Sequence, residues 1–172
     1  MKKGIGLLLL LSALAVFSVR IYHRVVFKQN VSGYLKRAAD ANTVDLAHEE
    51  LTRAIDYLEA NNLTTGHTSI LWKTPDEDIE FWYRNLKASQ RELEVLNSES
   101  ALERTNVLIK LRETLVDDGE KTKVTVPEGL SVYPHNALWA GLMLYALIAL
   151  VVAIGLLSPE SGKASISPEE VA

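Results

Sequence analysis

The chain has 172 residues, 48% of them hydrophobic, and carries 22 acidic against 18 basic side chains for a formal charge of −4. It has no cysteine, which excludes disulfides, thiolate metal sites and a cysteine nucleophile. Residues 29–136 hold 19 Asp and Glu against 12 Lys and Arg, a net of −7, and a surface of that sign repels a phosphate backbone, so nucleic acid is not expected as a partner.

Much of the apolar content sits in two terminal blocks. Residues 4–19 read GIGLLLLLSALAVFSV without a charge, after Met1-Lys2-Lys3. At ~1.5 Å per residue this run falls short of a hydrocarbon core of ~30 Å. Arg20 can extend its head outward while Ile21, Tyr22, Val25, Val26 and Phe27 prolong the apolar surface. The same run has the three regions of a cleavable export signal, with Ala13-Leu14-Ala15 as the small-residue triplet. It stays apolar through Val16, Phe17 and Val19, past that triplet, so an uncleaved anchor is expected over residues 1–28, with Arg20, Arg24 and Lys28 as its basic flank.

A mainly α soluble domain, a helical bundle or coiled-coil-like assembly, is expected over 29–119. Its first helix, 31–41, continues the anchor. Asn42-Thr43 then offers a cap, and Ala47, Leu51, Ala54, Ile55 and Leu58 recur at three and four residues, the spacing of one buried helix face. Thr74-Pro75-Asp76-Glu77 combines a capping Thr, Pro at the first helical position and acid in the first turn, so a helix is expected to start there. Its stripe runs through Ile79, Trp82, Leu86, Leu93 and Leu96, broken at Ser89 and Gln90. Ser100-Ala101-Leu102-Glu103 repeats the capping pattern and opens another helix, which Asp117-Asp118-Gly119 ends.

Residues 120–136 lose the helical period. The alternation over 121–126, followed by Pro127-Glu128-Gly129, predicts a short strand or extended connector. Residues 137–157, ALWAGLMLYALIALVVAIGLL, are uncharged over a full membrane thickness and are expected to form a transmembrane helix, with Asn136 as cap, Trp139 near the interface and Ser158-Pro159 as the stop. Gly141, Ala149 and Ala153 share a face on which a second helix can approach closely. The polar tail, 158–172, is expected to be disordered.

Chemistry is harder to find. His23, His48, His67 and His135 lack ligand spacing, and the alternating acids Asp76, Asp78 and Glu80 lack the glycine of a calcium loop. There is no phosphate-cradling glycine loop, dinucleotide fingerprint or G-x-S-x-G. Neither apolar run holds an ionisable residue between its ends, the usual mark of an ion or proton pathway. No enzyme, cofactor or metal is expected.

The aromatic group Trp72, Phe81, Trp82 and Tyr83 is the candidate partner or ligand surface. The expected function is that of a membrane-anchored structural or protein-interaction protein, partnered by the bilayer and by a second copy or another membrane protein. The alternative is a membrane sensory module holding a small ligand near Trp72 and Trp82. Counting Lys and Arg beside the spans favours a cytoplasmic domain, but the intervening segment exceeds the roughly 60 residues over which that rule works. The export-like N-terminus then favours an extracytoplasmic one.

Overall fold

A computed structural model describes residues 1–96, 99–117 and 123–158. The expected polar tail, beyond Ser158, and the expected helix stop at Asp118-Gly119 lie outside them. The chain is mainly helical and divides into two compact units, one formed by 1–18 with 142 onward and the other by 19–141.

In the larger unit, α1 (Lys2–Phe27) passes through a π-helical turn (Lys28–Ser32) into α2 (Gly33–Ala39), so the expected continuation of the first apolar helix is present. Thr43 caps α3 (Val44–Ala60) by accepting a hydrogen bond from the Leu46 amide. The helix ends where Asn62 takes a positive φ of 56° and the Leu63 amide returns to the Leu58 carbonyl, a closure that satisfies carbonyls left without helical donors.

The next helix departs from expectation. Thr74-Pro75-Asp76-Glu77 forms only a 3-10 turn (Pro75–Glu77), and α4 (Ile79–Val95) begins four residues later, capped by Asp78, whose Oδ1 accepts from the Phe81 amide. The cause is backbone competition. The Thr68 amide donates to the Glu77 carbonyl and the Ile79 amide to the Gly66 carbonyl, so residues 77–79 are drawn into pairing with the 66–68 loop and are held extended at Asp78.

Ser100 caps α5 (Ala101–Leu115). The chain then makes β1 (Val116–Asp117), which pairs antiparallel with β2 (Lys123–Val124), Val116 facing Val124. The segment expected as a connector thus belongs to the domain unit and contributes Leu130 to its core. After a 3-10 turn (Leu130–Val132), α6 (Asn136–Leu157) follows.

α3 is the central element, packed against α2, the π-helical turn, α4 and α5. Leu51, Ile55, Leu58, Leu86 and Leu93 are all buried, joined by Leu35, Ile79, Leu111 and Leu115. Each such side chain removed from water contributes about 1.5–3 kcal/mol before entropy is counted. The polar interruption of the α4 stripe is met within the chain, since Gln90 Nε2 donates to Thr52 Oγ1 on α3 at 2.8 Å.

In the smaller unit, the outer part of α1 runs antiparallel to α6. Ala13 is buried against Ala146 and Ala149, Ser12 and Tyr145 share a 2.9 Å hydrogen bond, and a Cβ at Gly6 would meet Leu157 Cγ at 3.0 Å. Small residues face inward, while Leu7, Leu8, Leu144, Ile148, Val151 and Ile154 face out. Both helices are long and apolar enough to cross a membrane.

Candidate functional site

The four aromatic residues singled out in the sequence do not share one surface. Trp82 lies in the core, on the same face of α4 as Ile79 and Leu86, and its indole N–H donates to the Thr125 carbonyl at 2.8 Å. Tyr83 is half-buried on the neighbouring side of α4, donating its hydroxyl to the Glu59 carboxylate, which also faces Lys87. Burial, and then that hydrogen bond, push the Tyr83 hydroxyl up to about 12. The same bond holds Glu59 below the usual carboxylate range. Phe81 is 62% exposed at the first turn of α4, and Trp72 is 76% exposed on the preceding loop.

Phe81 and Trp82 instead border a groove of about 390 Å³ between the start of α4 and the strand segment. Its floor is apolar: Trp82, Leu86, Val124, Val126 and Pro127. The Trp82 to Thr125 hydrogen bond ties the two walls together, so the floor is fixed by the same contact that seals the core. Trp72 does not line it.

The rim is acidic. Asp76, Glu77, Asp78, Asp117 and Glu128 line the groove, and Lys123, 4.0 Å from Glu128, is the one cation among the described lining residues. A hydrogen bond from Thr74 and another from its own backbone amide hold Asp76 below the usual carboxylate range. An apolar floor under a carboxylate rim accommodates a group that is both hydrophobic and cationic: the stem of a Lys or Arg, or an organic amine. The acids at 76–78 were legible as a helix-start signal. Asp117 and Val124 to Pro127 were not legible as site residues, because the β1–β2 pairing that brings them to α4 leaves too short an alternating run to mark it.

On the membrane-type helices, Ala149 and Ala153 are buried, whereas a Cβ at Gly141 would meet nothing within 4 Å. The Ala face of α6 is therefore covered by α1 of the same chain. Among the described residues no group of three or more His, Asp or Glu side chains is placed to hold a metal ion. Comparison with protein-family models, with curated proteins and with solved structures finds no match to this chain.

Proposed function

We propose that this chain is a two-span membrane-anchored interaction protein, whose small helical bundle docks an apolar, Lys- or Arg-bearing segment of another membrane protein in the groove beside Trp82. The observation that carries the reading is the pairing of an apolar floor with an acidic rim around an exposed Phe81. Exposed aromatic anchors beside a complementary charged rim are the usual energetic centre of a protein interface. A different protein is preferred to a second copy because the close-approach face of α6 is already occupied within the chain. No catalytic step belongs to this reading.

Membrane insertion rests on the outward-facing Leu, Ile and Val of α1 and α6. A core helix of a soluble protein would bury such side chains, whereas lipid solvates them and leaves small residues to make the helix contact. In this reading two spans leave both termini on one side of the membrane, and the export-like N-terminus favours an extracytoplasmic domain.

A photo-crosslinking residue in place of Phe81, used in native membranes, tests the docking reading. A discrete protein adduct that disappears with Asp76→Lys supports it, and adducts from an Arg91 control position but none from Phe81 refute it. One observation favours a second reading, a sensory module for a small organic cation: the groove volume falls within the range of small-molecule sites. That reading requires thermal stabilisation of the purified protein by hydrophobic amines, abolished by Trp82→Leu or Asp76→Lys.

A further inference from the structure

The loop between α3 and α4 carries an unburied apolar run. Ile70, Leu71 and Trp72 are consecutive and all exposed, Leu71 to 77%, and Lys73 follows them. None of the three belongs to the core or lines the groove. Three consecutive large apolar side chains in water are unfavourable unless something covers them.

The position of the loop identifies the cover. Its base is pinned against the segment that leads into α6. Gly66, at a φ of 103°, lies so close to Tyr133 that a Cβ there would collide with the phenol oxygen, and Thr68 Cβ lies 3.9 Å from where a Cβ of Gly129 would be. Gly129 in turn accepts a hydrogen bond through its carbonyl from Asn136 Nδ2, at the first residue of α6. From Thr68 to Trp72 the chain reaches at most about 14 Å, at ~3.3–3.6 Å per residue. That keeps Ile70 to Trp72 within about 14 Å of Thr68, whose neighbour Gly129 is hydrogen-bonded to the first residue of α6.

The same level of the domain unit bears other groups suited to a membrane surface. The Trp139 ring, in the first turn of α6, packs edge-on to His23 of α1 at 5.4 Å, and Arg20 Nη1 donates to Ser131 Oγ at 3.1 Å. Trp and Tyr concentrate at the boundary of the hydrocarbon, and basic side chains at the headgroups just outside it. Each headgroup zone is roughly 5–8 Å deep, within the reach of a loop whose base lies against Gly129 and Tyr133.

We infer that Ile70, Leu71 and Trp72 form a third membrane contact, an apolar loop that enters the bilayer interface beside α6, with Lys73 at the phosphates. The inference rests on the reading of α6 as a span. Because the acids at 76–78 follow closely, the contact is with the apolar interface itself and does not require anionic lipid.

The chain is free of cysteine, so a single introduced thiol can be labelled without background. Full-length Leu71→Cys, Val151→Cys and Glu94→Cys, each carrying an environment-sensitive fluorophore, are compared in nanodiscs of zwitterionic phosphatidylcholine brominated near the carbonyl end of the chain. The expected result is quenching by lipid bromine and several-fold protection from aqueous iodide at positions 71 and 151, with the reverse at 94. A label at 71 that iodide quenches, while 151 is quenched by lipid, overturns the loop contact and leaves the spans standing. A label at 71 protected from iodide but untouched by bromine overturns it in favour of a second copy covering the loop. Iodide quenching at 151 overturns the span reading together with the inference built on it.

Discussion

Glu50 is 1% exposed on α3, and only one of its carboxylate oxygens has a partner: Oε1 lies 2.6 Å from Arg37 Nη2, while Oε2 is buried without a hydrogen bond. Arg37, on α2, is 61% exposed and lies 5.9 Å from the Tyr34 ring centroid. Removing one partner of a fully buried pair costs about 3–5 kcal/mol, because the other charge is left without compensation, whereas replacing the pair with apolar side chains is often neutral or stabilising. Water reaches the Arg37 end here and screens the pair, so Arg37→Met is expected to cost about 2–4 kcal/mol, less than a fully buried pair would. Glu50→Met, which removes the desolvated carboxylate and its orphan oxygen, is expected to fall within about 1 kcal/mol of wild type, and the double variant to resemble Glu50→Met. Urea unfolding of the full chain in non-ionic detergent, followed by Trp fluorescence, measures all four proteins. If Glu50→Met is as destabilised as Arg37→Met, the carboxylate contributes net stability and the account of an under-satisfied buried charge is wrong.

The late start of α4 makes Asp78→Ala the costly cap substitution, at about 1 kcal/mol, with Thr74→Ala well below it; equal losses in thermal unfolding would restore the cap to Thr74. Leu93→Ala, at a buried position on α4, is expected to cost about 2–5 kcal/mol in the same assay, and a melting temperature equal to wild type would remove Leu93 from the core. A Gly6→Cys, Leu156→Cys double variant is expected to form an intrachain disulfide under mild oxidation after a shift of a few tenths of an ångström, since a Cβ at Gly6 would lie 3.1 Å from that of Leu156, slightly closer than the usual ~3.5–4.5 Å Cβ separation. A non-reducing gel that shows only uncrosslinked or dimeric chain would refute the antiparallel pairing of α1 with α6. Tyr83 favours its neutral form in the folded protein, so its share of stability is complete below its ordinary value of 10.0 and is lost as pH rises toward about 12. Glu59, held below the usual range by the same bond, contributes stability at neutral pH that is lost as the solution is acidified through its folded value. Tyr83→Phe should flatten the alkaline loss in a pH series of melting temperatures, and an unchanged slope would refute the assignment.

Where one helix face is buried, sequence period located it: Leu51, Ile55, Leu58, Leu86 and Leu93 repeat at helical spacing because burial on α3 and α4 is one-sided. Caps that depend only on their own next turn, Thr43 and Ser100, were equally legible. Thr74 was not, because its competitor is a backbone pairing with residues 66–68, and nothing in the local pattern of 74–77 reports a strand-like neighbour ten residues upstream. The aromatic group failed as a group for a related reason. Residues 81, 82 and 83 project about 100° apart around α4, so adjacency in sequence sends Trp82 inward, Phe81 to the groove rim and Tyr83 toward Glu59. The groove's far wall depends on a two-residue strand pair, below the length at which alternation becomes a signal.

The two terminal helices show why composition and packing carry different information. Their apolar content alone is equally compatible with a buried core helix and with a membrane span. What separates the two is which residues lie inside. A soluble core places its largest apolar side chains at the contact, where burial yields the most transfer free energy. The contact between α1 and α6 is made instead by Ala13, Ala146 and Ala149, while Leu8, Leu144 and Val151 point away. In water that arrangement leaves the largest apolar side chains of both helices uncovered; in lipid, where outward leucines cost nothing, close backbone approach becomes the main source of attraction. Of Gly141, Ala149 and Ala153, whose spacing from sequence alone suggested pairing with another helix, Ala149 and Ala153 are already buried within one chain, which is why the proposed contacts lie on surfaces of the domain: the acid-rimmed groove beside Trp82 and, against lipid, the loop at Trp72.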